Sequence, residues 1–119
     1  MTKTVLVVDD SHVSRLMIKA IIESKFPEWN IAEASDGDTA LRMARENDYD
    51  FISLDMNMPG RDGLMIAPDL MTECPNARIA LLTGNLQERV KAQALKQGLV
   101  FISKPITEQK VLAFYESQT

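Results

Sequence analysis

Residues 4–11 read Thr-Val-Leu-Val-Val-Asp-Asp-Ser, and this stretch decides the fold. Val5, Leu6, Val7 and Val8 are apolar at every position rather than at every second one. A strand with that pattern is covered on both faces, as inside a parallel sheet flanked by helices. The run stops at Asp9 and Asp10. Ser11 follows as a helix N-cap, and Val13, Leu16, Met17, Ala20 and Ile21 recur at helical spacing until Phe26-Pro27 ends the helix. A buried strand with an acidic end and a capped helix after it make one βα unit.

The unit repeats along the chain. Residues 29–34 give a second strand and residues 36–46 a second helix, with Ala40, Leu41 and Ala44 on one face. Residues 50–55 form a third strand that again ends in an acid, Asp55, and Met58-Pro-Gly-Arg-Asp-Gly63 is turn chemistry. A third helical pattern covers residues 64–73 but contains Pro68. A proline ring is tolerated only in the first helical turn. Regular helix is therefore expected to begin near Ile66 or Ala67, or to kink at Pro68, with residues 62–65 extended. Residues 78–83 are a fourth strand, and 86–97 a fourth helix stopped by Gly98. Residues 99–103 are a fifth strand, and 107–117 a last helix capped by Thr107. Strict alternation implies an α/β fold, a doubly wound five-stranded parallel sheet with helices on both faces. One domain over residues 1–119 is expected, with no output domain attached.

The composition fits such a domain: 45% hydrophobic and 25% charged residues among 119. No apolar run approaches the ~20 residues of a membrane span. The net charge is −4, from 17 acidic and 13 basic residues, and no three basic residues are consecutive. A direct nucleic-acid role is disfavoured on that ground. The single cysteine, Cys74, can neither staple the fold nor hold zinc, and the cytosol is the expected compartment.

Chemistry in open α/β sheets gathers at the carboxyl ends of the strands. Here those ends carry Asp9-Asp10, Ser35, Asp55, Thr83 and Lys104. If the first and third strands are neighbours, ~4.8 Å apart, three carboxylates crowd together. They repel unless a cation joins them, and magnesium suits one or two carboxylates with a carbonyl and waters, with manganese as an alternative. Three carboxylates and Lys104 sum to −2, which magnesium brings to zero. The site is then ready for an anion, and a phosphoryl group is the anion that magnesium sites handle most.

With these residues in place, the chain resembles the receiver domains of two-component response regulators. The matching stretches are Val5 to Ser11, Glu33 to Leu41, Asp55-Met-Asn-Met-Pro59 with Asp62-Gly63, Leu82-Thr83-Gly84, and Lys104-Pro105. The resemblance covers essentially the whole chain and implies a flavodoxin-like sheet of order 2-1-3-4-5. It implies that Asp55 is the phosphoacceptor. Asp10, Asp55 and the backbone carbonyl of Asn57 would bind magnesium, with Asp9 acting through water. Thr83, Lys104 and the Gly84 backbone N–H would hold the phosphoryl group. Phe101 stands at the position of an aromatic switch, although it lacks the hydroxyl of the family's common tyrosine. Pro105 is expected to follow a cis bond, because Lys104 must turn back over the site as the chain leaves the strand.

The implied function is a phosphorylation-dependent binding module, not a turnover enzyme, that catalyses only its own aspartyl phosphorylation and dephosphorylation. The implied partners are a histidine kinase or phosphotransfer protein and a downstream target. The output surface is expected on the fourth helix, fifth strand and last helix, where Gln87, Val90 and Lys91 are neighbours of Phe101. Neither nucleic acid nor membrane is an expected partner. The alternative is a magnesium-dependent aspartate-nucleophile phosphohydrolase, which would want a substrate pocket and a cap insertion. A flavodoxin-like cofactor binder would want a Gly-, Ser- or Thr-rich loop after the first strand, where Asp9-Asp10 sits instead. His12 lacks the partner ligands of a transition-metal site and reads as an exposed residue of the first helical turn. Trp29 reads as a strand-edge anchor, and Cys74 as inert.

Overall fold

All five βα units form in the computed structural model, which describes residues 2–84 and 87–116. The strands are β1 (Thr4–Val8), β2 (Asn30–Ala34), β3 (Phe51–Asp55), β4 (Arg78–Thr83) and β5 (Val100–Ser103). The helices are α1 (His12–Lys25), α2 (Gly37–Glu46), α3 (Gly63–Glu73), α4 (Glu88–Lys96) and α5 (Glu108–Glu116). The sheet is parallel throughout, with strand order β2-β1-β3-β4-β5. The expected start of the fourth helix at Leu86 and end of the last at Ser117 lie outside the described residues.

The continuous apolar run of β1 splits between two cores. Leu6 and Val8 join Ile52, Leu54 and Leu81 under α2, α3 and α4. Val5 and Val7 join Phe51, Ala80 and Leu82 under α1 and α5. That division is the alternation of a pleated strand with helices on both sides. The α1/α5 layer is aromatic: Trp29 stacks on Phe26 at 3.9 Å, and Phe51 meets Tyr115 edge-on at 5.2 Å. Trp29 is buried in the turn before β2, so its ring is a packing element.

Caps fix the helix starts. Ser11 accepts the Ser14 N–H, Asp36 the Thr39 N–H and Asp62 the Met65 N–H. Gly98, at φ +85°, ends α4 in the left-handed conformation that glycine adopts without strain. Lys104-Pro105 is cis, as expected.

One expectation needs correction. Helix α3 begins at Gly63, not near Ile66, so residues 63–65 are helical and Pro68 lies inside the helix beyond its first turn. The start is fixed by tertiary contact. Asp62 Oδ1 takes the Met65 N–H at 2.9 Å, and the Gly63 N–H bonds to the Met56 carbonyl at 3.0 Å. The internal proline costs ~3 kcal/mol. Burying Leu64, Ile66 and Leu70 contributes about 1.5–3 kcal/mol each, which outweighs it. On α1 the core side is Ile18 and Ile22, while Val13, Leu16 and Met17 face solvent, at 69%, 48% and 44% exposure.

Candidate functional site

The sheet's hydrogen-bond ladder runs past the strand ends and sets the site residues abreast. The Asp9 N–H donates to the Ala34 carbonyl at 3.0 Å, Met56 to Leu82 at 2.9 Å, and Lys104 to Thr83 at 2.9 Å. Asp55 ends β3 opposite Leu82, and Thr83 ends β4 opposite Ser103. Backbone pairing thus carries the first, third, fourth and fifth strand ends to one edge, as their acids, hydroxyl and lysine suggested.

Asp9, Asp10 and Asp55 each offer a carboxylate oxygen, all within 4.8 Å of one another. Asp9 and Asp55 are buried and Asp10 is exposed. Lys104 Nζ binds Asp55 Oδ1 at 2.8 Å. Asp9 Oδ1 accepts the Ser11 N–H at 2.9 Å, while its Oδ2 is buried without a hydrogen-bond partner. Burial holds the Asp9 carboxyl above its ordinary range, partly offset by the Ser11 N–H, and the Asp55 charge pushes the same way as burial. A buried carboxylate oxygen with no donor, inside a cluster of three acids, is what a hard divalent cation would satisfy. The donor set is all oxygen, as magnesium prefers. The residues therefore fit the metal implied by their spacing.

The remaining expected residues flank this cluster. Thr83 is fully buried at the head of the β4–α4 connection. Gly84 beside it is exposed, and a Cβ there would meet nothing within 4 Å. Asn57 is exposed on the loop that follows Asp55. Phe101 is half-buried, packs on the α2/α3/α4 core and has Lys91 Nζ 6.0 Å from its ring centre. His12 is exposed on the first turn of α1, and its only polar contact among the described residues is Arg15 at 3.3 Å. Cys74 is buried, and burial raises its thiol pKa, so it is unreactive.

Three supporting residues escaped the sequence reading. Gly63 is one: a Cβ there would lie 2.6 Å from Leu81 Cδ1 and 2.7 Å from the Asp55 carbonyl oxygen. Only glycine lets α3 start against the backbone of the central acid, and the Asp62-Gly63 turn was the available signal. Lys110 is another; its Nζ bonds to the Ser103 carbonyl at 2.9 Å and the Pro105 carbonyl at 3.3 Å, on either side of Lys104. The third is Arg15, which reaches back to the Asp9 carbonyl at 2.6 Å.

The family model described as the response regulator receiver domain matches residues 5–116. The chain is 36% identical over 110 residues to protein CcdB of Bacillus subtilis, covering 91% of this chain and 90% of that protein. It is 34% identical over 112 residues to chemotaxis protein CheY of Listeria monocytogenes, covering 93% of each. Among solved structures it superposes on the CheX-CheY complex with BeF3 and magnesium from Borrelia burgdorferi with a TM-score of 0.87, at 30% identity, covering 98% of this chain and 88% of that one.

Proposed function

Because the chain belongs to the response regulator receiver family, we propose that it takes a phosphoryl group onto Asp55 and that this modification switches its binding to other proteins. Its function is that of a two-component receiver, a signalling module, and the phosphohydrolase reading is not favoured. The observation that carries the assignment of Asp55 is its geometry: a buried carboxylate, paired with Lys104 at 2.8 Å, within 4.8 Å of two further acids.

Asp55 attacks phosphorus as a carboxylate nucleophile, and its activation comes from position rather than from a neighbouring base. Lys104 holds the carboxylate from one side, and on transfer its ammonium can follow the negative charge onto a phosphoryl oxygen. From a phosphohistidine donor, the phosphorus–nitrogen bond breaks as the phosphorus–oxygen bond to Asp55 forms, and the imidazole leaves with the electron pair. Asp10, Asp55 and the Asn57 carbonyl would hold magnesium, with Asp9 acting through water. When bound, the metal neutralises the acids and screens charge developing on the transferring group. Thr83 and the Gly84 N–H would receive the remaining phosphoryl oxygens. The chemistry needs little beyond alignment and charge neutralisation.

A protein donor must approach Asp55 over the carboxyl edge of the sheet. The exposed apolar face of α1 flanks that approach, next to Asp10, and supplies packing surface for a donor. Output is read at the β5 edge of the sheet, on α4, β5 and α5. There Phe101, Lys91 and Glu88 line one groove, and Phe101, Ala113 and Phe114 another. If the Thr83 hydroxyl is drawn toward a phosphoryl group on Asp55, the space it leaves lets Phe101 turn inward and remodels both grooves.

The test is acetyl phosphate with magnesium, followed by intact mass. One added phosphoryl is expected, and none on Asp55→Asn. A label that survives this substitution overturns the assignment. Sustained release of phosphate from excess monoester would favour the hydrolase instead.

A further inference from the structure

Arg15 stands where a cation is disfavoured. It lies in the first turn of α1, whose N-terminus carries partial positive charge from aligned peptide dipoles. Its side chain folds back over that turn and is only 14% exposed. Nη1 donates to the Asp9 carbonyl at 2.6 Å, and Nε donates to Glu33 Oε1 on β2 at 3.1 Å. Nη2 lies 3.3 Å from His12 Nδ1, and Lys19 adds a longer contact to Glu33 at 3.8 Å. A half-buried arginine tied to β2 and to a main-chain carbonyl between two acids is not surface decoration.

The bonded carbonyl belongs to the peptide that joins Asp9 to Asp10. Asp9 is already held by its N–H to Ala34 and by its carboxylate to Ser11. Asp10 is different: among the described residues its exposed carboxylate has no hydrogen bond or ion pair. The peptide that precedes it sets where its side chain is attached, and Arg15 bonds the carbonyl of that peptide.

We infer that Arg15 is a positioning residue for the divalent-cation site, acting through the Asp9–Asp10 peptide to aim the Asp10 carboxylate, with Glu33 as its anchor on β2. The inference rests on the reading of Asp10 as a magnesium ligand.

The sign of the effect separates positioning from charge. Removing a cation beside three acids should by Coulomb's law tighten magnesium binding. Loss of an outer residue that orients a ligand instead weakens metal binding, typically about 10–100-fold. Magnesium titrations by calorimetry would compare the full chain with Arg15→Gln, Arg15→Lys, Glu33→Gln and Asp10→Asn. Arg15→Gln should weaken binding about ten-fold or more. Arg15→Lys should not restore it, because a point ammonium cannot bond the carbonyl and Glu33 together. Glu33→Gln should weaken it in the same direction by less. At saturating magnesium, labelling of Arg15→Gln by acetyl phosphate should return toward the wild-type rate, which a general structural defect would not allow.

Equal or tighter magnesium binding in folded Arg15→Gln overturns the inference while leaving the metal reading intact. If Arg15→Gln fails to fold, Glu33→Gln decides: unchanged affinity there overturns it. Wild-type protein that binds no magnesium, or Asp10→Asn that binds as well as wild type, overturns the metal reading and this inference with it.

Discussion

The same carboxylates that fit the site for a cation load the protein without one. Burial raises the Asp9 pKa above its ordinary 3.8, so the folded state binds that proton more tightly than the unfolded chain does. The contribution is favourable below 3.8 and is lost as pH rises through the raised value. Asp9→Asn should therefore make the metal-free protein more stable at neutral pH, with the advantage vanishing below 3.8. Urea unfolding in a chelator at several pH values reads this directly; an Asn variant less stable at pH 7 would refute it. Gly63 gives a second residue-scale prediction. An added methyl would meet Leu81 and the Asp55 carbonyl at 2.6–2.7 Å. Gly63→Ala should cost about 1–3 kcal/mol and slow phosphorylation, because the group displaced is the backbone of Asp55. Gly84→Ala, facing open space, should shift stability by no more than about 0.5 kcal/mol. Denaturation and labelling rates of the two variants make the comparison.

At the scale of elements, α1 shows what a sequence does and does not disclose. Helical spacing announced an apolar stripe of Val13, Leu16 and Met17, but Ile18 and Ile22 form a second stripe on the same helix. Periodicity marks both and says nothing about which one meets the sheet. The strands were easier, because runs such as Val5 to Val8 have no polar side to offer water. The site's acids and lysine were legible as residue types at successive strand ends. Arg15 and Lys110 were not, since each acts on main-chain carbonyls, and carbonyls have no letter in the sequence. Pro68 misled because a local steric rule was outweighed by the burial of its helix neighbours. The exposed stripe of α1 carries its own prediction. Leu16→Asp should slow phosphoryl transfer from a protein donor several-fold, while labelling by acetyl phosphate stays near wild type. Equal slowing with both donors would place the defect in the site rather than on the docking face.

For the molecule as a whole, the sheet lies between two packed layers. The α1/α5 layer holds Tyr115, fully buried, with Ser53 as a neighbour but no hydroxyl bond of regular geometry. Burial drives the Tyr115 pKa well above its ordinary 10.0. The unfolded chain therefore releases this proton first, and stability should fall as pH rises beyond 10. Tyr115→Phe should blunt that alkaline loss in thermal melts. The other layer holds Phe101, through which, in the proposed mechanism, Thr83 would couple the phosphoryl site to the α4–β5–α5 grooves. Thr83→Ala should still accept a phosphoryl group but lose most of the partner affinity gained on activation, measured with beryllofluoride as the phosphoryl mimic. The aromatic layer has an optical consequence. Trp29 is the chain's single indole. It sits in the turn before β2, buried among Phe26, Phe51 and Tyr115, at the amino edge of the sheet and roughly five residues, or ~15 Å, of strand away from the acids. Its emission should be blue-shifted in the native protein and move to the red only when that layer opens. The protein thus carries a fluorophore that reports denaturation while staying blind to magnesium and phosphate, which lets one cuvette separate loss of structure from change of signalling state.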